Sequence, residues 1–178
     1  AVLHTLAAEG LTTREACGNT LRNMTGCAFA GVCVAEHTDV NTHINAAVNH
    51  FLRNPLNQQL PRKMKFSFSG CEQDCAQGMI HDVAVIARYQ DGQPGFRILA
   101  GGGFGHKPRE AIEVVAWLPE VALIPCIEAL ISLHNRYSDR TKRAKSRIKF
   151  LVERFGATGF IEKFQEEFAR TRAALAVE

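Results

Sequence analysis

Six cysteines occur in 178 residues, and four of them fall in two close pairs: Cys27 and Cys33 in "CAFAGVC", Cys71 and Cys75 in "GCEQDC". Thiolates are soft ligands, and two of them a few residues apart can reach one metal centre. A second pair brought alongside completes four-fold ligation. The pattern is C-x5-C, then 37 residues, then C-x3-C, with Cys17 and Cys126 outside the pairs. Four chemistries compete for such a set. A disulfide framework suits a small secreted domain, whereas this chain is long and rich in apolar residues. Structural zinc favours tighter C-x2-C pairs. Unconnected buried thiols need no pairing. An iron–sulfur cluster fits the arrangement best, with the flanking residues left to decide it.

The segment leading into the second pair, "PRKMKFSFSGC", alternates strictly. Met64, Phe66 and Phe68 face one way, and Lys63, Lys65, Ser67 and Ser69 the other, which predicts a half-buried strand with two ammonium groups on its polar face. A pair of lysines on one face suits a small oxyanion; it equally suits a solvated edge that resists aggregation. Gly70 then allows the sharp turn that delivers Cys71.

The other elements are read in the same way. "HTDVNTHINAAVNHFLRN" sets Ile44, Ala47, Val48, Phe51 and Leu52 on one helical face, with Thr38 or Asp39 as cap and Pro55 as the stop. "HDVAVIARY" and "GFRILAGG" flank Asp91-Gly92, a hairpin signal. Gly101, Gly102 and Gly103 then lead into "FGHKPREAIEVVAWLP", read as a helix opened by Pro108. The glycines serve either a tight turn or a close backbone approach to a cofactor. The C-terminal third reads as helical, with apolar stripes Ile127, Leu130, Ile131, His134, then Ala144, Ile148, Leu151, Val152, Phe155, then Ile161, Phe164, Phe168. Within it, Arg140, Lys142, Arg143, Lys145, Arg147 and Lys149 are placed on a helix as a basic face. That face is either solvated or turned to anionic groups on a cofactor or an acidic donor. The fold class expected is α/β (α+β), a small mostly antiparallel sheet with helices packed on it.

Bulk properties exclude other classes. An apolar content of 46% builds a core and rules out a disordered or fibrous chain. Twenty-one Lys+Arg against 18 Asp+Glu leave a net charge of +3, which does not point to nucleic acid. No apolar run approaches the length of a membrane span, and the expectation is a cytoplasmic protein. The opening "AVLHTLAAEG" reads as the last turns of a helix that begins upstream.

Several flanking segments, "TTREACGNTLRNMTGC", "LPRKMK", "DVAVIA", "LAGGGFG" and "RAKSRIKFLVERFG", resemble in order and spacing the siroheme-dependent sulfite and nitrite reductases. The resemblance implies a 4Fe-4S cluster on Cys27, Cys33, Cys71 and Cys75, with the Cys75 sulfur bridging to a siroheme iron. It implies that Arg22, Lys63 and Lys65 surround the anion and act in catalysis. Arg62 would meet the macrocycle carboxylates, and Asn23, Gly101, Gly102, Gly103 and Lys107 would belong to the cofactor pocket. Two departures stand out: Ala28 and Glu72 follow the first cysteine of each pair where the family often has proline, and the chain would supply only one of two similar halves. A second domain or chain would then complete the siroheme pocket. The implied division is 1–10 as the tail of a preceding ferredoxin-like half-domain, 11–156 as the siroheme/4Fe-4S domain and 157–178 as a C-terminal helix. The implied activity is multi-electron reduction of sulfite or nitrite, fed by ferredoxin or a reductase subunit. Two other readings stay open: an iron–sulfur electron-transfer or structural module without a complete siroheme site, and an interaction domain on a four-cysteine zinc site.

Overall fold

The structure, a computed structural model, describes residues 1–175. Residues 176–178 of the expected C-terminal helix lie outside the described residues. In chain order the elements are α1 (Val2–Ala8), β1 (Leu21–Gly26), α2 (Val40–Phe51), β2 (Met64–Ser69), β3 (Val83–Gln90), β4 (Gln93–Ala100), β5 (Ile112–Pro119), α3 (Leu123–Tyr137) and α4 (Ile148–Leu175). Gly156, at φ 71°, breaks α4 into two helical segments.

The five strands form one sheet in the order β1-β2-β3-β4-β5. β1, β2 and β3 run parallel, and β3, β4 and β5 pair antiparallel through the longer ladders. The Asp91-Gly92 turn closes the β3–β4 hairpin with both residues at positive φ, 51° and 75°, as a two-residue hairpin requires. Asp39 caps α2, its Oδ1 accepting from Asn41 N at 2.9 Å.

Alternation sorts the sheet into two faces. Phe66 and Phe68 of β2, Val83 and Val85 of β3, and Phe96 and Ile98 of β4 join residues of α2, α3 and α4 in the main core. On the other face lie Ala84, Ile86 and Leu99, a thin second cluster. β2 is more enclosed than its pattern predicts: Ser67 and Ser69 are each 1% exposed. The reason is position, since β2 lies between two partners and the loops after it fold back over its polar face.

Two expectations are corrected, and one strand is added. "AIEVVAWLP" is strand β5, not a helix; Ile112, Val114, Val115 and Trp117 favour a pleated surface, and the free edge of β4 supplies the pairing. Residues 140–147 are not a basic helical face either. Asp139 Oδ1 takes the N–H of Thr141 and of Lys142, a local turn that competes with helix, and α4 starts at Ile148. Strand β1 was not foreseen, because a bulge at Arg22, between the pairs Leu21–Met64 and Asn23–Lys65, breaks its alternation.

Candidate functional site

The two cysteine loops leave the sheet side by side from the C-terminal ends of the parallel strands β1 and β2. Cys27 N–H donates to the Phe68 carbonyl at 2.9 Å, extending the ladder by one residue. His37 N–H donates to the Gly70 carbonyl at 2.7 Å, which ties the first loop to the start of the second. Glu36 accepts from Gly31 N–H with both oxygens, at 3.1 and 2.8 Å, and lies so close to Gly70 that a side chain there would strike it. In the second loop Asp74 accepts from Ser69 Oγ at 2.8 Å and from Gly78 N at 2.7 Å. Both cysteine loops are therefore pinned by a carboxylate.

This bracing sets the two cysteine pairs on neighbouring loops. The Cys75 thiol is pushed above its ordinary range by desolvation, then by Cys27, which also bonds to it, and by Cys71 and Cys33. None of the four is in a disulfide. Among the described residues no three His, Cys, Asp or Glu side chains converge closely enough to hold a single metal ion. A 4Fe-4S cube places each thiolate on its own iron, so its ligands stand further apart than those of one zinc. Four thiols on two neighbouring loops are a donor set that a 4Fe-4S cluster takes.

The second part of the site is cationic. Arg22 sits at the β1 bulge with Nε donating to Gly18 O at 2.9 Å, and bulges re-aim side chains in this way. Arg62 and Lys63 precede β2, and Lys65 lies on its polar face, half-buried. Lys63 is held below the ordinary lysine range by desolvation and then by Arg22, Lys65, Arg62 and Arg147. Arg62 is lowered by desolvation and by Arg143, Arg22 and Arg147. These cations therefore share one neighbourhood. Among the described residues the one carboxylate ion-paired with them is Asp82, at 2.8 Å from Arg147. A group so short of counter-charge favours a bound anion.

Other expected residues are seen in contacts with the protein itself or at its surface. A side chain at Gly101 would meet Val152, at Gly102 the carbonyls of Met79 and His81, and at Gly103 the Arg147 guanidinium. The glycine run is thus explained by packing against protein. Asn23 and Lys107 are exposed. Lys107 enters through its carbonyl, which, with those of Phe104 and His106, accepts from the buried Lys149 Nζ at 2.9 to 3.2 Å. His81 Nδ1 lies 3.0 Å from Gln77 O, a structural bond. Asp82, Glu36, Asp74 and His134 were not foreseen. Glu36 and Asp74 brace their own loops through bonds four or five residues away, and Asp82 and His134 work through partners far along the chain; none leaves a periodic trace in sequence.

Residues 17–172 match the family model described as the nitrite and sulphite reductase 4Fe-4S domain. The chain belongs to this family. Among its relatives is the sulfite reductase (ferredoxin) 1 of Mycolicibacterium paratuberculosis, 35% identical over 168 residues, which cover 94% of this chain and 30% of that protein. The ferredoxin–nitrite reductase of Leptolyngbya laminosa is 29% identical, covering 89% of this chain and 31% of its own length. The solved structure of the Mycobacterium tuberculosis NirA protein superposes with TM-score 0.86 at 34% identity, over 95% of this chain and 31% of that one. A dissimilatory sulfite reductase I structure shares the fold, at TM-score 0.66 and 13% identity. The chain thus spans about 30% of the length of the curated relatives it matches. Membership of this reductase family bears out the α+β fold class and carries with it the cluster and the siroheme implied by the sequence. No helix among the described residues is long and apolar enough to cross a membrane.

Proposed function

We propose that this chain is the cluster-bearing part of a siroheme-dependent reductase that converts a small oxyanion, sulfite or nitrite, by successive electron transfers. The observation that carries the reading is the joint presence of four thiols outside any disulfide on two neighbouring loops and, among the described residues, a cation group ion-paired with one carboxylate, Asp82. A pure electron carrier has use for the first but none for the second. Relatives named as sulfite and as nitrite reductases support either oxyanion, and the ferredoxin in their names supports an acidic electron donor.

Cys27, Cys33, Cys71 and Cys75 would hold the cluster, and Cys75, the most exposed of the four, would be the one to face the siroheme. When bound, the two cofactors supply the electrons and the iron at which the oxyanion is reduced. The chain's own residues do the rest. Arg22, Lys63 and Lys65 bind and orient the oxyanion, whose charge relieves their mutual repulsion. Arg62 would face the macrocycle carboxylates. Lys63 Nζ, pushed towards neutrality by burial and neighbouring cations, releases a proton more readily than an ordinary lysine and is suited to protonating a departing oxygen. Residues 11–156 would form the working domain, joined to a second domain or chain that completes the siroheme pocket. Free thiols destined for iron suit a reducing compartment, which supports a cytoplasmic site of action.

The test is a visible absorption spectrum of the anaerobically purified protein with iron and zinc analysis. Siroheme bands with about five irons per chain are expected, and Cys75→Ser should lose the iron–sulfur signal together with its coupling to siroheme. A zinc-loaded, colourless protein, or a Cys75→Ser variant with full activity, would overturn the assignment.

A further inference from the structure

The three residues that carry the cationic site on β2 and its approach, Arg62, Lys63 and Lys65, are held from below by two buried side chains that contact no expected ligand. Asp82, fully buried at the entry to β3, accepts the Lys65 N–H through Oδ2 at 2.9 Å. The β2–β3 ladder begins one residue later, at Phe66–Val83, so the carboxylate replaces the missing ladder bond. Oδ1 of the same group accepts from Arg147 Nε at 3.0 Å and Nη2 at 2.8 Å. The Asp82 carbonyl accepts from Gly101 N at 2.9 Å, which fixes its own backbone. On the other side, fully buried His134 in the last turn of α3 places Nε2 2.9 Å from the Arg62 carbonyl, with Nδ1 2.7 Å from Ser138 Oγ. Lys63 lies between these two anchors.

Burying a carboxylate is costly unless its charge and lone pairs are matched, and here both oxygens are engaged by groups of the site. One acid thus ties together the Lys65 amide of β2 and, 65 residues along the chain from the acid itself, the Arg147 guanidinium. We propose that Asp82 and His134 are positioning residues for the oxyanion site, setting the placement of Lys63 and Lys65 around the bound anion; this rests on the reading of the cation group given above. Neither touches the anion. Each acts through the residue it holds.

Asp82→Asn is the informative variant, because the amide matches the carboxylate in shape and keeps one acceptor. It can serve Lys65 N–H or Arg147 but not both. In the anaerobically purified holo-protein the expected results are unchanged siroheme bands and iron content, sulfite or nitrite bound at least tenfold more weakly in spectral titration, and faster hydrogen exchange at the Lys65 amide. His134→Leu should weaken anion binding similarly, while His134→Gln, which keeps an N–H donor for the Arg62 carbonyl, should restore it. Unchanged anion affinity in Asp82→Asn and His134→Leu would overturn the proposal. So would loss of siroheme along with the affinity, which would make these residues part of cofactor assembly. If the unsubstituted protein itself binds neither cofactor nor anion, the reductase reading fails first, and that outcome is read from the control alone.

Discussion

Acidification tests the buried histidine directly. The Arg62 carbonyl can only accept, so His134 Nε2 carries the ring proton and Nδ1 accepts from the Ser138 hydroxyl. Burial pushes the ring down from 6.5 to about 4, against the opposing effect of the Arg62 carbonyl and with help from Arg140 and Arg147. The folded-state value is depressed, so between these limits the unfolded chain binds the extra proton. The stability is present above about pH 6.5 and is lost progressively as pH falls towards 4. The full gap corresponds to about 3 kcal/mol, and about 1 kcal/mol of it is lost between pH 8 and 5.5. Urea unfolding of the protein and of His134→Gln over that range reads it out, because glutamine keeps a donor and does not titrate. Asp82, whose burial raises its carboxyl despite Arg147, is common to both proteins and cancels in the difference. The protein should lose about 1 kcal/mol more than the variant on acidification. Parallel pH dependences would refute the account of a neutral, structurally engaged ring.

Other substitutions probe different parts of the molecule. Lys63→Ala or Lys65→Ala should abolish most oxyanion turnover while siroheme and cluster absorbance persist, and unchanged reduction rates would count against the anion site. Lys149→Met removes the ammonium that gathers the carbonyls of Phe104, His106 and Lys107, so limited proteolysis should cut residues 104–107 faster than in the parent protein. Phe68→Ala, at a completely buried position in the main core, should cost about 3–5 kcal/mol in denaturant unfolding.

How far the sequence revealed the molecule follows from where regular patterns survive. β2 alternates cleanly, and the β3–β4 hairpin carries its own turn signal, so both were legible. α2 was legible from its apolar stripe and its Asp39 cap. β1 was hidden because the bulge that re-aims Arg22 also destroys the period-2 pattern. β5 was mistaken for a helix because Pro108 suggested a helix start, while the pairing edge of β4 cannot be seen from local composition. The basic run 140–149 was read as a single face, yet Arg147 and Lys149 turn inward to Asp82 and to loop carbonyls. The paired cysteines and the lysines at 63 and 65 were legible because they lie in short, dense motifs. Asp82 and His134 were not, because a lone buried acid and a lone histidine in an apolar stripe acquire meaning only from partners far along the chain.

The bulge-free geometry of β2 constrains how such proteins can vary. Lys65 and Ser69 lie on one face of an uninterrupted strand, about 13 Å apart at the usual rise, and Cys71 follows after a single glycine. Insertion of one residue in this stretch would turn the lysine and the cysteine approach to opposite faces, and insertion of two would keep the face but lengthen the span by about 7 Å. A length change in this segment therefore disturbs the geometry even where every side chain is kept. The strand works as a fixed ruler between the cysteine loop and the cation group.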